Sequence, residues 1–304
     1  MVLNLRTAIA AARMRAEPLD HLLLSGLPGL GKTTLAEIVA FESGAGFHST
    51  SGPAIERPAD LVGLLTALQP RDVLFIDEIH RLPRVVEEYL YSAMEDFRLV
   101  IVLDKGINSR SVPMQVHPFT LVGATTREGL LSDPFRARFG LHEKLEAYDT
   151  ADLRVVALRS ARLLNLPMDS DAADMLAQRA RGTPRILNRL IRRVRDIVQT
   201  TGATQADAAI TASALARLGL DDNGLMLHDR KLLTLLHRAG AIGMGLKALA
   251  VGLGEDERTV EDVYEPFLIR EGFITRTPRG RMLTQRGNAL MGASPSSGTL
   301  FPTP

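Results

Sequence analysis

Residues 26–33, with the sequence GLPGLGKT, have the types and spacing of a loop that binds phosphate groups. They follow the apolar run Leu22–Leu24 and precede a helical pattern, as the strand–GxxxxGK[ST]–helix motif requires. Such glycines let backbone N–H groups surround an anion, and the helix adds the positive end of its dipole. We predict that Lys32 reaches the β- and γ-phosphates of a nucleoside triphosphate and that the Thr33 hydroxyl completes a Mg2+ site. The residues expected to line the phosphates are Gly29, Leu30, Gly31, Lys32, Thr33 and Thr34.

Two adjacent carboxylates, Asp77 and Glu78, follow the apolar run 73–76. Four apolar residues predict a strand buried on both faces of a parallel sheet, and ligands bind at the carboxyl ends of such strands. Asp77 is expected to hold the magnesium ion through water, and Glu78 to polarise the water that attacks the γ-phosphate. Paired acids alone are common in loops. After a phosphate-binding loop they predict a nucleotide hydrolase.

Composition bounds the class of protein around these residues. The chain has 304 residues, 45% hydrophobic and 23% charged, which is ordinary for a globular protein with two or three domains. A net charge of +1 means that any nucleic-acid contact must come from a local patch. The absence of cysteine excludes disulfides, thiolate metal sites and a cysteine nucleophile. We find no signal peptide and no run long enough to span a membrane, and therefore predict a cytoplasmic protein.

The hydrophobic pattern divides the chain into segments. An α/β region with a parallel sheet is predicted for residues 1–148, and a helical domain for 149–220. A turn-rich link begins the segment 221–292, where three helices and a basic hairpin predict a winged helix. The last residues, 293–304, are rich in Ser and Pro and are predicted to be disordered.

Residues 97–122 form an unusual part of the first segment. A strand pattern at Leu99–Leu103, a turn signal at 104–106 and a return strand at 111–116 predict a hairpin. The pattern alone favours an edge hairpin of the main sheet. The alternative is a hairpin whose tip exposes apolar residues for a function.

Several segments in the same order along the chain resemble the RuvB family, the bacterial Holliday-junction branch-migration motors of the AAA+ class. They include FIDEIHRL at 75–82, RARGTPRI at 179–186 and RTPRGR at 276–281. The resemblance implies an AAA+ P-loop core, a helical lid and a C-terminal winged helix. It also implies an ATP-dependent DNA motor that acts on four-way junctions in recombination and repair, as a hexameric ring around duplex DNA.

The resemblance assigns roles that residue spacing alone does not. Thr126 matches the sensor threonine that reads the γ-phosphate, and Arg185 matches the second sensor, offered from the lid. Arg138 matches the arginine finger that acts on a neighbouring subunit's nucleotide; without the family it would be an ordinary surface cation. The remaining residues that the resemblance places near the nucleotide are Glu95, Asp96, Phe97 and Tyr148, the last at the hinge between core and lid.

The resemblance also implies two macromolecular partners. In the family, the hairpin at Phe97–Val122 docks on the junction-binding partner RuvA, so the exposed apolar residues would serve that contact. The basic hairpin would meet DNA phosphates without reading bases, through Arg276, Arg279 and Arg281, with Arg286 nearby. The family's leading Arg-Pro-rich segment, which helps to enclose the adenine, has no counterpart before Met1. We therefore expect a chain that starts at Met1 to bind ATP more weakly than an extended form.

Two other classes of protein share parts of this pattern. A clamp-loader subunit or replication initiator has the same core and lid, but the RTPRGR segment and the partner hairpin argue against it. A nucleotide-gated DNA-binding regulator would use ATP only as a switch. Glu78 and Arg138 argue against that function, because a switch needs neither a water activator nor an arginine finger.

Overall fold

The computed structural model describes residues 2–102 and 111–292. The predicted hairpin turn at 104–106 and the predicted disordered tail lie outside these residues. Contacts group the chain into two units, one of Met1–Tyr148 with Thr183–Arg185, the other of Asp149–Gly182 with the residues from Ile186 onward.

The first unit is an α/β domain. In chain order its elements are α1 (Val2–Arg15), β1 (Leu22–Gly26), α2 (Lys32–Ser43), β2 (Phe47–Ser51), α3 (Pro58–Thr66), β3 (Val73–Asp77), α4 (Arg84–Asp96), β4 (Arg98–Val102), β5 (Ser111–Gln115), β6 (Thr120–Thr125), α5 (Asp133–Arg136) and β7 (Leu141–Leu145). Five strands form one sheet in the order β2-β3-β6-β1-β7, and every pair in it is parallel. The predicted P-loop core with a parallel sheet is therefore confirmed.

Alternate residues of the central strands supply two separate cores. On β1, Leu23 packs with α3 and α4, whereas Leu22 and Leu24 pack with α1 and α2. This division follows from the two-residue period of a strand, which turns successive side chains to opposite faces. Because helices cover both faces, the strands are apolar throughout, as the sequence indicated.

The hairpin of β4 and β5 is a two-stranded antiparallel sheet of its own. The edge position that the strand pattern favoured is wrong, because within the described residues the five-stranded sheet has β2 and β7 at its edges. The base of the hairpin is held by Leu99, which is buried in the core, and by Phe97, whose ring meets Phe119 edge-on at 6.0 Å. Further out, Val100 and Val112 remain 47% and 45% exposed.

The second unit begins with four helices and ends in a winged helix. Its elements are α6 (Thr150–Leu163), α7 (Ser170–Arg179), α8 (Pro184–Thr201), α9 (Ala208–Arg217), α10 (Leu227–Ala239), α11 (Leu246–Leu253), α12 (Glu257–Thr259), a π-helical turn (Val260–Tyr264), α13 (Glu265–Arg270), β8 (Ile274–Thr277), β9 (Gly280–Leu283) and α14 (Gln285–Gly292). The first two residues of α8 group with the first unit. Strands β8 and β9 pair in an antiparallel hairpin, the wing. The predicted helical lid and winged helix are both confirmed.

The link between these two parts is held by hydrogen bonds. Asp221 Oδ1 accepts from the backbone N–H groups of Asn223 and Leu225, each at 2.8 Å. Arg181, two residues after the end of α7, forms an ion pair with the buried Asp229 of α10 and lies 4.1 Å from the centre of the Phe267 ring. The turn-rich sequence therefore encodes an ordered connection, since its polar groups are paired.

Among the described residues, no helix combines the length and the apolar character needed to cross a membrane.

Candidate nucleotide-hydrolysis site

The predicted catalytic residues lie at the carboxyl ends of three neighbouring strands of the sheet. Strand β6 lies between β3 and β1, and all three run in the same direction. Lys32 follows β1, Asp77 ends β3, and Thr126 follows β6. The carboxyl ends of parallel strands meet at one edge, so the structure brings these residues together where open α/β sheets bind ligands.

The loop after β1 has the backbone that wraps around an anion. Gly29 and Gly31 have φ angles of 81° and 98°, in the left-handed region that favours glycine. A Cβ atom on Gly29 would lie 2.7 Å from the Cβ of Arg185, so a side chain there would force the two segments apart. Lys32 begins α2, and its Nζ donates to the carbonyls of Gly26 and Leu27 at 2.8 and 3.0 Å. Burial lowers the pKa of Lys32, and the negative charges of Asp77 and Glu78 oppose that shift.

Glu78 is held in a defined position beside Asp77. Its backbone N–H donates to Asp77 Oδ1 at 2.9 Å, and its φ of 49° is uncommon for a residue with a side chain. Thr126 Oγ1 donates to Glu78 Oε2 at 3.3 Å. The predicted water activator and the predicted sensor threonine therefore contact each other directly.

His80 is a residue of this site to which the sequence pattern gave no role. Its Nδ1 lies 2.9 Å from Thr125 Oγ1 and 3.4 Å from Glu78 Oε2, and its side chain is only 7% exposed. The sequence could have indicated this role only through the presence of a titratable residue two positions after Glu78, with one apolar residue between them. Its contact with Thr125 depends on β3 and β6 being neighbours, which the local sequence does not encode.

The residues present suit a magnesium ion bound together with a triphosphate. Within the described part of the chain, no cluster of three or more His, Cys, Asp or Glu side chains could hold a metal ion. Mg2+ is usually bound by one or two protein oxygens, with phosphates and waters as the remaining ligands. The Thr33 hydroxyl and the Asp77 carboxylate are oxygen donors of that kind.

Arg138 lies at the opposite end of the same sheet, where the parallel strands begin. It stands three residues before Leu141, which opens β7 and pairs with Leu22, the first residue of β1. Arg138 and Glu95 line a pocket with Asp20 and His21, which directly precede β1. A five-residue strand is roughly 16 Å long, so Arg138 is about that far from its own phosphate-binding loop.

The other residues that the resemblance placed near the nucleotide fall into two groups. Arg185 lies at the phosphate-binding loop, where its backbone N–H donates to the Gly29 carbonyl at 3.4 Å. Tyr148 is 38% exposed at the end of the first unit. Glu95, Asp96 and Phe97 lie at the end of α4, on the side of Arg138 rather than of Lys32.

The wing divides the predicted DNA-binding arginines by their contacts. Arg281 is 14% exposed and its Nε donates to the fully buried Glu265 at 2.6 Å. Arg276 also donates to Glu265, at 2.8 Å, but remains 48% exposed. Arg286 donates to the Glu271 carbonyl and lies over the Phe273 ring. These contacts connect distant segments, so the arginine spacing did not reveal them.

A parallel sheet that carries a phosphate-binding loop on β1, paired acids on β3 and a threonine on β6, joined to a helical lid, defines a P-loop ATPase of the AAA+ class. Residues 1–145 match the family model of the Holliday junction DNA helicase RuvB P-loop domain. Residues 148–221 match the RuvB AAA lid domain, and residues 222–292 match the RuvB C-terminal winged helix domain. The chain belongs to the RuvB family.

Individual relatives agree with the family models over almost the whole chain. The Holliday junction branch migration complex subunit RuvB of Parabacteroides distasonis is 54% identical over 295 residues, which are 97% of this chain and 86% of that protein. The subunit of Myxococcus xanthus is 55% identical over 287 residues, 94% of this chain and 84% of that protein. The solved structure of the Thermotoga maritima RuvB Holliday junction branch migration motor superposes with a TM-score of 0.84 at 46% identity, and covers 95% of this chain and 92% of that one.

Proposed function

We propose that this chain hydrolyses ATP with Mg2+ to drive the branch migration of Holliday junctions, as a ring of identical subunits. The observation that carries the proposal is the division of the catalytic groups between two edges of one sheet. Lys32, Asp77 and Glu78 lie at one edge, and Arg138 lies at the other. Arg138 therefore meets a triphosphate only if a second copy supplies the phosphate-binding loop, and a closed ring gives every subunit both neighbours.

The ring would also place Glu95, Asp96 and Phe97 near a nucleotide. They lie beside Arg138, so the triphosphate within their reach belongs to the adjacent subunit. Thr126 would sense the γ-phosphate in its own subunit and Arg185 would approach it from the start of α8, with Tyr148 at the hinge. We propose residues 1–148 as the ATPase domain, 149–220 as the lid and 221–292 as the winged helix.

The wing is the surface of the winged helix that suits duplex DNA. The helical segment before it is acidic, since it contains Glu255, Asp256, Glu257, Glu261 and Asp262. Phosphates repel such a segment, whereas the wing presents Arg276 and Arg279 to solvent. Contacts of this kind position a protein on DNA without reading its sequence, which suits a motor that moves along any duplex.

The β4–β5 hairpin would recruit a RuvA-like junction-binding protein in the cytoplasm. Val100 pairs with Pro113 and Val112 pairs with Ile101, so the two exposed valines lie on opposite faces of this hairpin. An exposed apolar side chain on each face supports an apolar contact with a partner. The proposed function is tested by adding the chain, ATP and a RuvA protein to a labelled four-way junction. We expect dissociation of the junction into duplexes that requires both ATP and the partner. No dissociation with a chain that hydrolyses ATP normally would contradict the proposal.

The contacts of the wing predict that its arginines respond differently to alanine substitution. Within the described residues Arg279 has no ion pair or hydrogen bond from its side chain. Arg279→Ala should therefore weaken DNA binding and lower by about 1 the salt slope, the slope of log binding constant against log salt concentration. It should change the free energy of unfolding by less than about 0.5 kcal/mol. Arg281→Ala should destabilise the winged helix by about 3 kcal/mol, because the buried Glu265 loses one of its two arginine partners. Urea unfolding followed by circular dichroism and DNA titration at several salt concentrations measure both. A stable Arg281→Ala variant with a reduced salt slope would instead identify Arg281 as a phosphate contact.

A further inference from the structure

Arg138, the proposed arginine finger, is held by its own subunit through three contacts. Its guanidinium carbon lies 4.2 Å from the centre of the Tyr91 ring, within the range of a cation–π interaction. Its Nη1 donates to the Pro134 carbonyl at 2.6 Å. Its Nε lies 3.2 Å from Glu95 Oε1 at an angle that makes no hydrogen bond. Tyr91 therefore covers one face of the guanidinium plane and leaves its N–H edges for other partners.

Tyr91 is itself held by contacts with α5, the helix that ends two residues before Arg138. Its hydroxyl donates to the Glu87 carboxylate, which also accepts from Ser132 Oγ. Ser132 is the N-cap of α5, and the Tyr91 ring lies 5.6 Å from the ring of Phe135 on that helix. Burial raises the pKa of Tyr91, and the hydrogen bond to Glu87 adds to the shift, so the phenol stays protonated as a donor.

Glu95 holds the Arg138 side chain less strongly than Tyr91 does. Its side chain is 57% exposed, and an exposed ion pair without a hydrogen bond contributes little. A triphosphate carries more negative charge and accepts hydrogen bonds in the plane of the guanidinium, so it can replace the carboxylate. The stacked ring does not compete for those N–H groups. Exchange of Glu95 for phosphate would therefore leave the contact with Tyr91 intact.

We propose that Tyr91 is a positioning residue for ATP hydrolysis, which fixes the plane of the Arg138 guanidinium as it enters the neighbouring subunit's nucleotide site. This inference rests on the proposed shared site. An arginine side chain has many rotamers, and a group that stabilises a transition state must already be in place when charge develops. The stack on Tyr91, fixed through Glu87 and Ser132, supplies that order from outside the nucleotide site.

The test uses two variants that are inactive alone and complement each other. Glu78→Gln subunits donate a finger but do not hydrolyse, and Arg138→Ala subunits hydrolyse only with a neighbour's finger. Tyr91→Leu is then added to one variant at a time. In the finger-donating subunits it should lower kcat of the mixture by about ten-fold, with KM for ATP unchanged within about two-fold. In the Arg138→Ala subunits it should have no effect, because those subunits donate no finger.

Two further variants separate positioning from a structural role. Tyr91→Phe keeps the ring and should keep kcat within about three-fold in either subunit. Tyr89→Leu is the matched control, because Tyr89 is on the same helix and packs against the core but not on Arg138. The kcat of the mixture should be the same whether Tyr89→Leu is added to the Glu78→Gln subunits or to the Arg138→Ala subunits. The inference would be overturned if Tyr91→Leu lowered kcat equally in the Glu78→Gln and the Arg138→Ala subunits. It would also be overturned if Tyr91→Leu in the Glu78→Gln subunits left kcat unchanged. If the unmodified pair shows no turnover, it is the shared site that fails.

Discussion

Arg138→Ala is expected to lower kcat for ATP by about 1,000-fold to 100,000-fold, the range seen when an arginine finger is removed. The guanidinium would neutralise charge that develops on the transferring phosphoryl group, so its loss acts on the transition state more than on ATP binding. The Kd for ATP of the isolated subunit should not change, because Arg138 lies at the sheet edge away from its own loop. Steady-state hydrolysis assays and calorimetry measure the two quantities.

Arg136→Ala is the control for this substitution. Arg136 is on α5, two residues from Arg138, and forms its ion pair with Asp133 of the same helix. Its replacement should leave kcat close to that of the parent chain. Arg138→Ala subunits should regain turnover when mixed with Glu78→Gln subunits. If the mixture hydrolysed ATP no faster than the two variants do separately, the catalytic site would not be shared between subunits.

Glu78→Gln is expected to lower kcat by about 100-fold to 10,000-fold and to leave ATP binding intact. Glutamine has almost the same shape, so it still fits beside Asp77 and its amide oxygen still accepts from Thr126. It lacks the negative charge needed to polarise the attacking water. Single-turnover measurement with excess protein isolates the chemical step, and a nucleotide titration checks binding.

Glu88→Gln makes the same chemical change at an exposed position. Glu88 is on α4, and its only contact of this kind among the residues that the structure describes is a long ion pair with Arg84, at 3.8 Å. Its replacement should therefore change neither kcat nor binding. Normal single turnover by Glu78→Gln would show that another group activates the water. His80, which lies 3.4 Å from Glu78 Oε2, would then be the first residue to examine.

The sequence was sufficient for those features that depend on local pattern. The glycine spacing predicted a phosphate-binding loop, and the apolar run before Asp77 predicted a buried strand whose end meets that loop. Side-chain alternation does not tell whether two strands join a larger sheet, so β4 and β5 were placed wrongly at its edge. Their actual position depends on Phe97 and Leu99, which fix the base of the hairpin in the core.

Contacts between segments account for what remained hidden in the site. Arg281 was grouped with Arg279 because both are in one basic run, yet Arg281 neutralises Glu265, sixteen residues earlier on α13. His80 meets Thr125 only because β3 and β6 are neighbours. The stacking of Arg138 on Tyr91 likewise joins α4 to a segment 47 residues further along the chain. Residue types identified the candidate groups, but their partners depended on the three-dimensional fold.

The placement of Lys32 and Arg138 at opposite edges of one sheet has a genetic consequence. In the proposed assembly each subunit takes part in two hydrolysis sites, one through its loop and one through its arginine. A copy defective in both residues therefore silences its own site and that of a normal neighbour. In mixed assemblies the number of working sites falls with the square of the fraction of normal subunits. Such an allele would be dominant-negative, although the protein it encodes still folds and assembles.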